Sequence, residues 1–343
     1  MWFLISSLEA LLSERHPLVF VILVPLFILL LRIAKVWLSY LGNTFLWGPK
    51  VLSPGFHTPR IVQGSVYPYG IVELKGRRPY MEDRHVVVPS LNSDPSKCLY
   101  GVFDGHGGSA AAQYCTDYLS KFLEDALGDV HVHPRDALKH AFKKTDHTFL
   151  EMAKVRGIDD GTTALCVLAH GETLTIANAG DSRAVAVKVG GHTLPLSYDH
   201  KPDRSDERDR ITELGGSVVH WGVWRVEGVL AVSRAIGDRL LKDYVIPDPD
   251  VVRWVCSSDD MYIVLATDGL WDVFTNQQVG SILQACRSAQ HGAETLAQQA
   301  YLKGTNDNVT VMVVDVRGRN NPEATPKLVR AKSNSSTGGL KEC

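Results

Sequence analysis

The sequence predicts a layered architecture of strands and helices behind a hydrophobic N-terminal segment. Short strand-like runs recur between residues 65 and 316. Helical stretches fall among them in pairs, 109–127 with 134–155 and 276–289 with 293–303. Strands clustered with paired helices stack as layers, because each sheet face and helix stripe needs an apolar partner. The third observation is the unbroken apolar run Leu18–Leu31, which precedes everything else.

That run is shorter than the ~20 residues a spanning helix needs. Arg32 and Lys35 touch only its far edge, where long basic side chains snorkel. A segment from about Pro17 to Tyr40 could therefore span, with Trp37, Tyr40 and Trp47 suited to an interface. Pro25 is tolerable in a membrane helix. A cleaved signal peptide would carry its charge before the run and small residues after it, and here the basic residues follow. A buried core helix belongs within a domain, whereas this run precedes a linker. The expectation is a single transmembrane anchor helix within residues 1–41. Arg32, Lys35 and Lys50 favour a cytosolic C-terminal side, and Arg15 and His16 weigh against it. Residues 42–64 carry Gly, Pro, Ser and Thr without an apolar period and read as a tether.

A folded domain is expected over residues 65–317. Val66–Val72 and His85–Val88 read as strands, and Leu99–Phe103 is a further apolar run. The first helix places Ala111, Cys115, Tyr118, Leu119, Phe122 and Leu123 on one side. The second offers Ala137, Leu138, Ala141, Phe142, Phe149 and Leu150. Strands follow at 163–168, 173–179 and 184–189, with Gly190-Gly191 as a hairpin turn. The charged stretch 199–216 suggests a helix over 205–214 with a solvated face. Met261–Ala266 and Val309–Val316 are the last strands. Residues 318–343, rich in Asn, Ser, Gly and Lys, read as a disordered tail.

Composition excludes some functions. A net charge of -2 over 343 residues gives no electrostatic case for nucleic acid. The six cysteines form no Cys-x-x-Cys pair and read as buried residues or free thiols.

Seven short blocks carry the chemistry. Asp104-Gly105-His106-Gly107-Gly108 follows the strand ending at Phe103. A carboxylate, a glycine turn and a histidine present hard oxygen ligands beside a titratable ring, although Asp-Gly alone is also a turn signal. Around it, in order, stand Arg78-Pro79-Tyr80-Met81-Glu82-Asp83, Gly161-Thr162-Thr163-Ala164, Gly180-Asp181-Ser182-Arg183, Ala231–Asp238, Thr267–Asp272 and Asp307-Asn308-Val309-Thr310. The ordered set resembles the metal-dependent Ser/Thr protein phosphatases, the PPM or type 2C family, over roughly residues 66–316. With its hydrophobic leader the chain resembles the membrane-anchored, protein phosphatase 1L-like members.

The resemblance implies an α+β fold, a four-layer α/β/β/α sandwich of two antiparallel sheets flanked by helices, here with an N-terminal transmembrane helix. It implies hydrolysis of phosphoserine and phosphothreonine in proteins, at a membrane surface, by hydroxide activated at two Mg²⁺ or Mn²⁺ ions. A phosphomonoester dianion repels hydroxide, and two hard cations answer that by polarising the phosphoryl oxygens and acidifying a bridging water. Such ions take oxygen ligands and keep several waters, so few carboxylates suffice. Asp104 matches the bridging carboxylate and Gly105 the residue that lends its carbonyl. Asp268 and Asp307 match the carboxylates of the second metal. Glu82 and Asp83 match acids that hold metal-bound waters. Arg78 is the expected phosphate clamp, because a guanidinium fork meets phosphate oxygens bidentately. His106 is the candidate general acid for a poor alkoxide leaving group.

Several alternatives stay open. The family often has an aspartate three residues before the glycine of the Gly161 block, associated with a third metal, where this chain has Ile158. A slipped loop could bring in Asp159. Asp272, one helical turn after Asp268, would touch a third metal or cap its helix. Trp224-Arg225-Val226 matches a flap beside the active site, where Arg225 would contact substrate or pin the flap. Expected partners are phosphoprotein substrates and the membrane, not nucleic acid, with a monomeric catalytic domain in the cytosol. A scaffold without catalysis and a small-molecule phosphatase are the competing readings. The scaffold predicts missing ligands, and none of the four core ligands is missing.

Overall fold

Period-two alternation, with both faces of a strand apolar, decides where the layers lie. In β2 (Tyr69–Leu74), Tyr69 and Ile71 enter one core while Val72 and Leu74 enter another. In β4 (Lys97–Phe103), Cys98, Tyr100 and Val102 share the first of these cores, and Leu99 and Phe103 enter a third. A strand that is apolar on both faces must be covered on both. The computed structural model, which describes residues 56–57 and 67–317, satisfies this with four layers.

One sheet has the order β1-β2-β16-β15-β9-β10, with β1 at Phe56–His57, β9 at Arg183–Lys188, β10 at Thr193–Pro195, β15 at Asp260–Ala266 and β16 at Val309–Asp315. The other has the order β14-β8-β7-β4-β3, with β3 at Arg84–Val88, β7 at Ala164–His170, β8 at Thr173–Ala179 and β14 at Asp250–Val255. Every pairing in both sheets is antiparallel. The sheets face each other across a core that includes Ile71, Tyr100, Ile176, Ile263 and Met312.

Helices cover the outer faces. α1 (Ala110–Leu127) and α2 (Pro134–Arg156) pack Leu119, Leu123, Leu138 and Phe142 on the five-stranded sheet. On the six-stranded sheet, α5 (Asn276–Gln284) and α6 (Ala289–Lys303) contribute Val279, Leu283, Leu296 and Ala300. The break between α5 and α6 falls earlier than periodicity suggests, because the Ser288 side chain caps α6 by accepting from the His291 N–H. The turns into α1 and out of β15 are short. There the Asp160 Oδ2 accepts from the Ala110 N–H at 2.9 Å, and α4 (Asp268–Trp271) begins directly after Thr267.

A smaller unit sits between β10 and β14. It contains α3 (Ser205–Glu213) and the hairpin of β11 (Val218–Trp221) with β12 (Val223–Val226), over a small core of Ile211, Val226, Val232, Ala235 and Val245. The charged stretch 199–216 is not merely a solvated face. Glu207 is 1% exposed and accepts from Arg210, Ser233 and Arg234 at 2.6–3.2 Å. Burial alone would raise its carboxyl, but those donors outweigh burial and bring it down to about 2. A depressed folded pKa adds stability above the unfolded value, near 4.5, and loses it as pH falls towards 2. Glu207→Gln should therefore lower the melting temperature at neutral pH by an amount equivalent to about 3 kcal/mol. In a pH series of thermal scans the gap from wild type should close between those two values. A gap independent of pH would contradict this account.

The single-pass membrane placement is corrected. Among the described residues no helix is long and apolar enough to cross a membrane. The longest, α2, has 23 residues but carries Lys139, Lys143 and Lys144 in its middle, which a hydrocarbon core does not tolerate. The anchor expected at 17–40 and the tail at 318–343 lie outside the described residues. Phe56 and His57, within the stretch read as a tether, pair with Leu74 and Glu73 on the edge of β2.

Candidate active site

The blocks of the sequence hold one another in place. Asp104 follows β4, and its backbone is fixed on both sides by Thr163. The Thr163 N–H donates to the Asp104 carbonyl at 2.9 Å, and the Asp104 N–H donates to Thr163 Oγ1 at 3.2 Å. That hydroxyl meets Ser182 Oγ at 2.8 Å, which joins the Gly161 block to the Gly180 block. Gly105 begins the two-residue strand β5 (Gly105–His106), paired with β6 (Gly161–Thr162), which pairs in turn with β13 (Ile236–Gly237). A Cβ at Gly105 would stand 2.5 Å from the Glu82 carbonyl oxygen, so only glycine fits this approach.

β15 and β16 are antiparallel neighbours, so Asp268 just beyond the first and Asp307 just before the second emerge at the same sheet end. Their register is locked by backbone and side chains together. The Thr267 N–H donates to the Thr310 carbonyl at 3.1 Å, and Asp83 Oδ2 accepts from the hydroxyls of Thr267 and Thr310 at 2.9 and 2.8 Å. Burial pushes the Asp83 carboxyl up to about 7 against those two hydrogen bonds. Asn308 fastens the Arg78 block. Its Oδ1 accepts from the Glu82 N–H at 2.8 Å, and its Nδ2 donates to the carbonyls of Lys75 and Tyr80 at 2.8 and 3.0 Å.

The result is a convergence of carboxylates. One oxygen each of Asp104, Asp181 and Asp268 lies within 4.8 Å of the others. Asp268 Oδ1 is buried and has no hydrogen-bond partner. Burial, then Asp268, Asp83, Asp181 and Asp307, hold the Asp104 carboxyl well above its usual range. Burial, then Asp181, Asp272 and Asp307, do the same to Asp268. Asp307 thus acts on the group electrostatically, while its Oδ2 accepts from Arg78 Nη2 at 2.6 Å. Like charges in a low-dielectric pocket repel strongly unless a cation or protons intervene. An all-oxygen set with an orphaned carboxylate oxygen fits a hard divalent cation such as Mg²⁺ or Mn²⁺.

His106 lies beside this cluster and turns to Asp238. Its Nε2 is 2.9 Å from both carboxylate oxygens. A Cβ at Gly161 would come within 2.0 Å of Asp238 Oδ2 and 2.3 Å of His106 Nε2, so the glycine makes room for this pair. Asp238 itself has φ of 52°, a left-handed conformation uncommon for a residue with a side chain. Burial disfavours a charged ring, but the Asp238 carboxylate outweighs it and raises the His106 pKa.

Other candidates fall elsewhere. Asp159 is tied to Arg239 at 2.6 Å and is not brought into the carboxylate group. Asp272 stands at the C-terminal end of α4, whose N-cap is Thr267, so it does not cap the helix start. Burial, with Asp181 and Asp307, raises its carboxyl against the Lys201 charge. Arg225 pins its own hairpin, donating to the Val229 carbonyl at 2.5 Å. Sequence reasoning missed Asp181, Lys201, Asp238 and His200. The first and third stand in quoted blocks, and the other two are adjacent in Asp199-His200-Lys201, where nothing local marks them.

The family model described as Protein phosphatase 2C matches residues 67–309. The probable protein phosphatase 2C 59 of Arabidopsis thaliana is 40% identical over 259 residues, 74% of this chain and 80% of that protein. The probable protein phosphatase 2C 55 of Oryza sativa subsp. japonica is 43% identical over 254 residues, 72% of this chain and 65% of that protein. Among solved structures, the serine-threonine phosphatase 2C from Toxoplasma gondii superposes with a TM-score of 0.69 at 25% identity, covering 77% of this chain and 99% of that one. A sex determining protein of C. elegans gives 0.69 at 26% identity, covering 73% and 65%.

Proposed function

Because this chain belongs to the protein phosphatase 2C family of serine/threonine protein phosphatases, we propose that its carboxylate pocket hydrolyses phosphoserine and phosphothreonine in proteins with two hard divalent cations, Mg²⁺ or Mn²⁺. The observation that carries the proposal is the group Asp104, Asp181 and Asp268 with the unpartnered Asp268 Oδ1. Asp104, the Gly105 carbonyl, Asp268 and Asp307 would hold the ions, with Glu82 and Asp83 beside them. Bound there, the ions supply Lewis-acid polarisation of the phosphoryl oxygens and activation of the attacking water.

The chain's own groups do the rest. Arg78 is half-exposed and already aligned on a carboxylate of the pocket, so its fork is placed to take phosphate oxygens instead. Asp307 is released from that pair when Arg78 engages substrate. His106 gives a proton to the departing serine or threonine oxygen, and Asp238 keeps the ring charged and oriented for that transfer. Thr163 and Ser182 fix the backbone that carries Asp104, so the reacting groups stay in register.

The test is phosphate release by the full-length protein from phosphoserine and phosphothreonine peptides. Turnover should require added Mn²⁺ or Mg²⁺ and stop with EDTA. Turnover indifferent to EDTA would overturn the proposal, and faster turnover of sugar or nucleotide phosphates would replace its substrate.

A further inference from the structure

Asp181 is the member of the carboxylate group that brings a cation of its own. It is 3% exposed, and its Oδ2 accepts from the Lys201 ammonium. The pairing is built by the backbone. The His200 N–H donates to the Gly180 carbonyl at 3.0 Å, and His200 Nδ1 meets the Gly180 N–H at 3.2 Å. Zipping Gly180 to His200 sets the next residue of each segment, Asp181 and Lys201, side by side. On the other side, Ser182 is fastened through Thr163 to the Asp104 backbone. Asp181 is therefore held relative to Asp104 from both of its chain neighbours.

We propose that Asp181 is a further member of the cation-holding set and that Lys201 is the positioning residue that keeps its carboxylate aimed at Asp104 and Asp268. The inference rests on the reading of the pocket as a cation site. Three facts support it. Asp181 supplies an oxygen to the cluster, within 4.8 Å of those of Asp104 and Asp268. The buried Asp268 Oδ1 has no hydrogen-bond partner, so the Lys201 ammonium, seated on Asp181, leaves this oxygen unsatisfied. Among the charges acting on Asp268, Asp181 comes first, ahead of Asp272 and Asp307.

An ion-holding carboxylate needs a partner on its outer side, because that contact fixes its orientation. An ammonium suits the role. It is a compact point charge that shares one oxygen and leaves the other free, where a guanidinium fork tends to take both. Lys201 is also drawn towards the pocket by Asp268 and Asp272, which add to the pull of Asp181.

Calorimetric titration of the full-length protein with MnCl₂ tests this without reference to turnover. Asp181→Asn and Lys201→Met should each weaken Mn²⁺ binding by about tenfold or more. The double variant should bind about as weakly as Asp181→Asn alone, because Lys201 acts only through Asp181. The double variant removes both charges of the pair and leaves the buried position 181 with no orphaned charge, so it tests the inference even if a single variant fails to fold. Wild-type protein that binds no Mn²⁺ would overturn the cation site itself. Wild-type binding that the single and double variants leave within about twofold would overturn only the present inference. So would Lys201→Met binding more tightly than wild type, because Lys201 would then be a competing charge.

Discussion

Asp104→Asn is expected to abolish turnover of phosphopeptides, by about a thousandfold or more, while raising the melting temperature of the metal-free protein. Both effects come from one buried charge. The Asp104 carboxyl is surrounded by Asp268, Asp83, Asp181 and Asp307, and burial with their repulsion holds its pKa well above that of the unfolded chain. A carboxyl raised on folding binds protons that the unfolded chain has already released. Its contribution to stability is therefore complete below the usual carboxylate range and is lost as pH rises. An amide has no proton to lose and no charge to repel. The substitution leaves the anchors of the Asp104 backbone to Thr163 intact, so the variant should fold. Thermal scans in EDTA should show the variant above wild type at neutral pH and converging with it in acid. Phosphate release measured on the same samples decides the other half. A variant that retains turnover within about tenfold of wild type would remove Asp104 from the chemistry.

His106→Asn should separate substrates by leaving group. A serine or threonine alkoxide departs poorly without a proton, so turnover of a phosphoserine peptide should fall about a hundredfold. A nitrophenolate departs without one, and p-nitrophenyl phosphate turnover should fall less than about tenfold. The Asp238 carboxylate meets His106 Nε2 through both oxygens and raises the ring's pKa against the effect of burial. Asp238→Asn should show the same selectivity at smaller amplitude. Equal losses on the two substrates would mean that His106 shapes the pocket without protonating the leaving group.

The elements were legible where the pattern is local. The periodicity of 109–127 and 134–155 corresponds to α1 and α2, and the run at 173–179 coincides with β8. Misreadings came where a partner lies far along the chain. Glu207 looked like one charge among many on a solvated helix, and it became buried because Ser233 and Arg234 approach it from a separate loop. Asp159 stays open in the sequence as a ligand for a third ion, and its visible partner is Arg239, also far along the chain. His200 is fully buried between Gly180 and Asp250, a placement that nothing near it in the sequence marks. The membrane placement rested on the hydropathy of one run and the residues flanking it, and no described helix sustains it.

By itself the sequence determined the order of the blocks, the helices and strands that carry them and the chemical type of each candidate group. These are properties of neighbouring residues and of spacings that a backbone period converts into faces. The tertiary structure alone decided which groups meet. Asp181 joins Asp104 and Asp268, Asp307 takes Arg78, and Asp238 takes His106. The physical reason is that partnership among charges depends on distance and burial, and both are set by the closing of two sheets from distant segments.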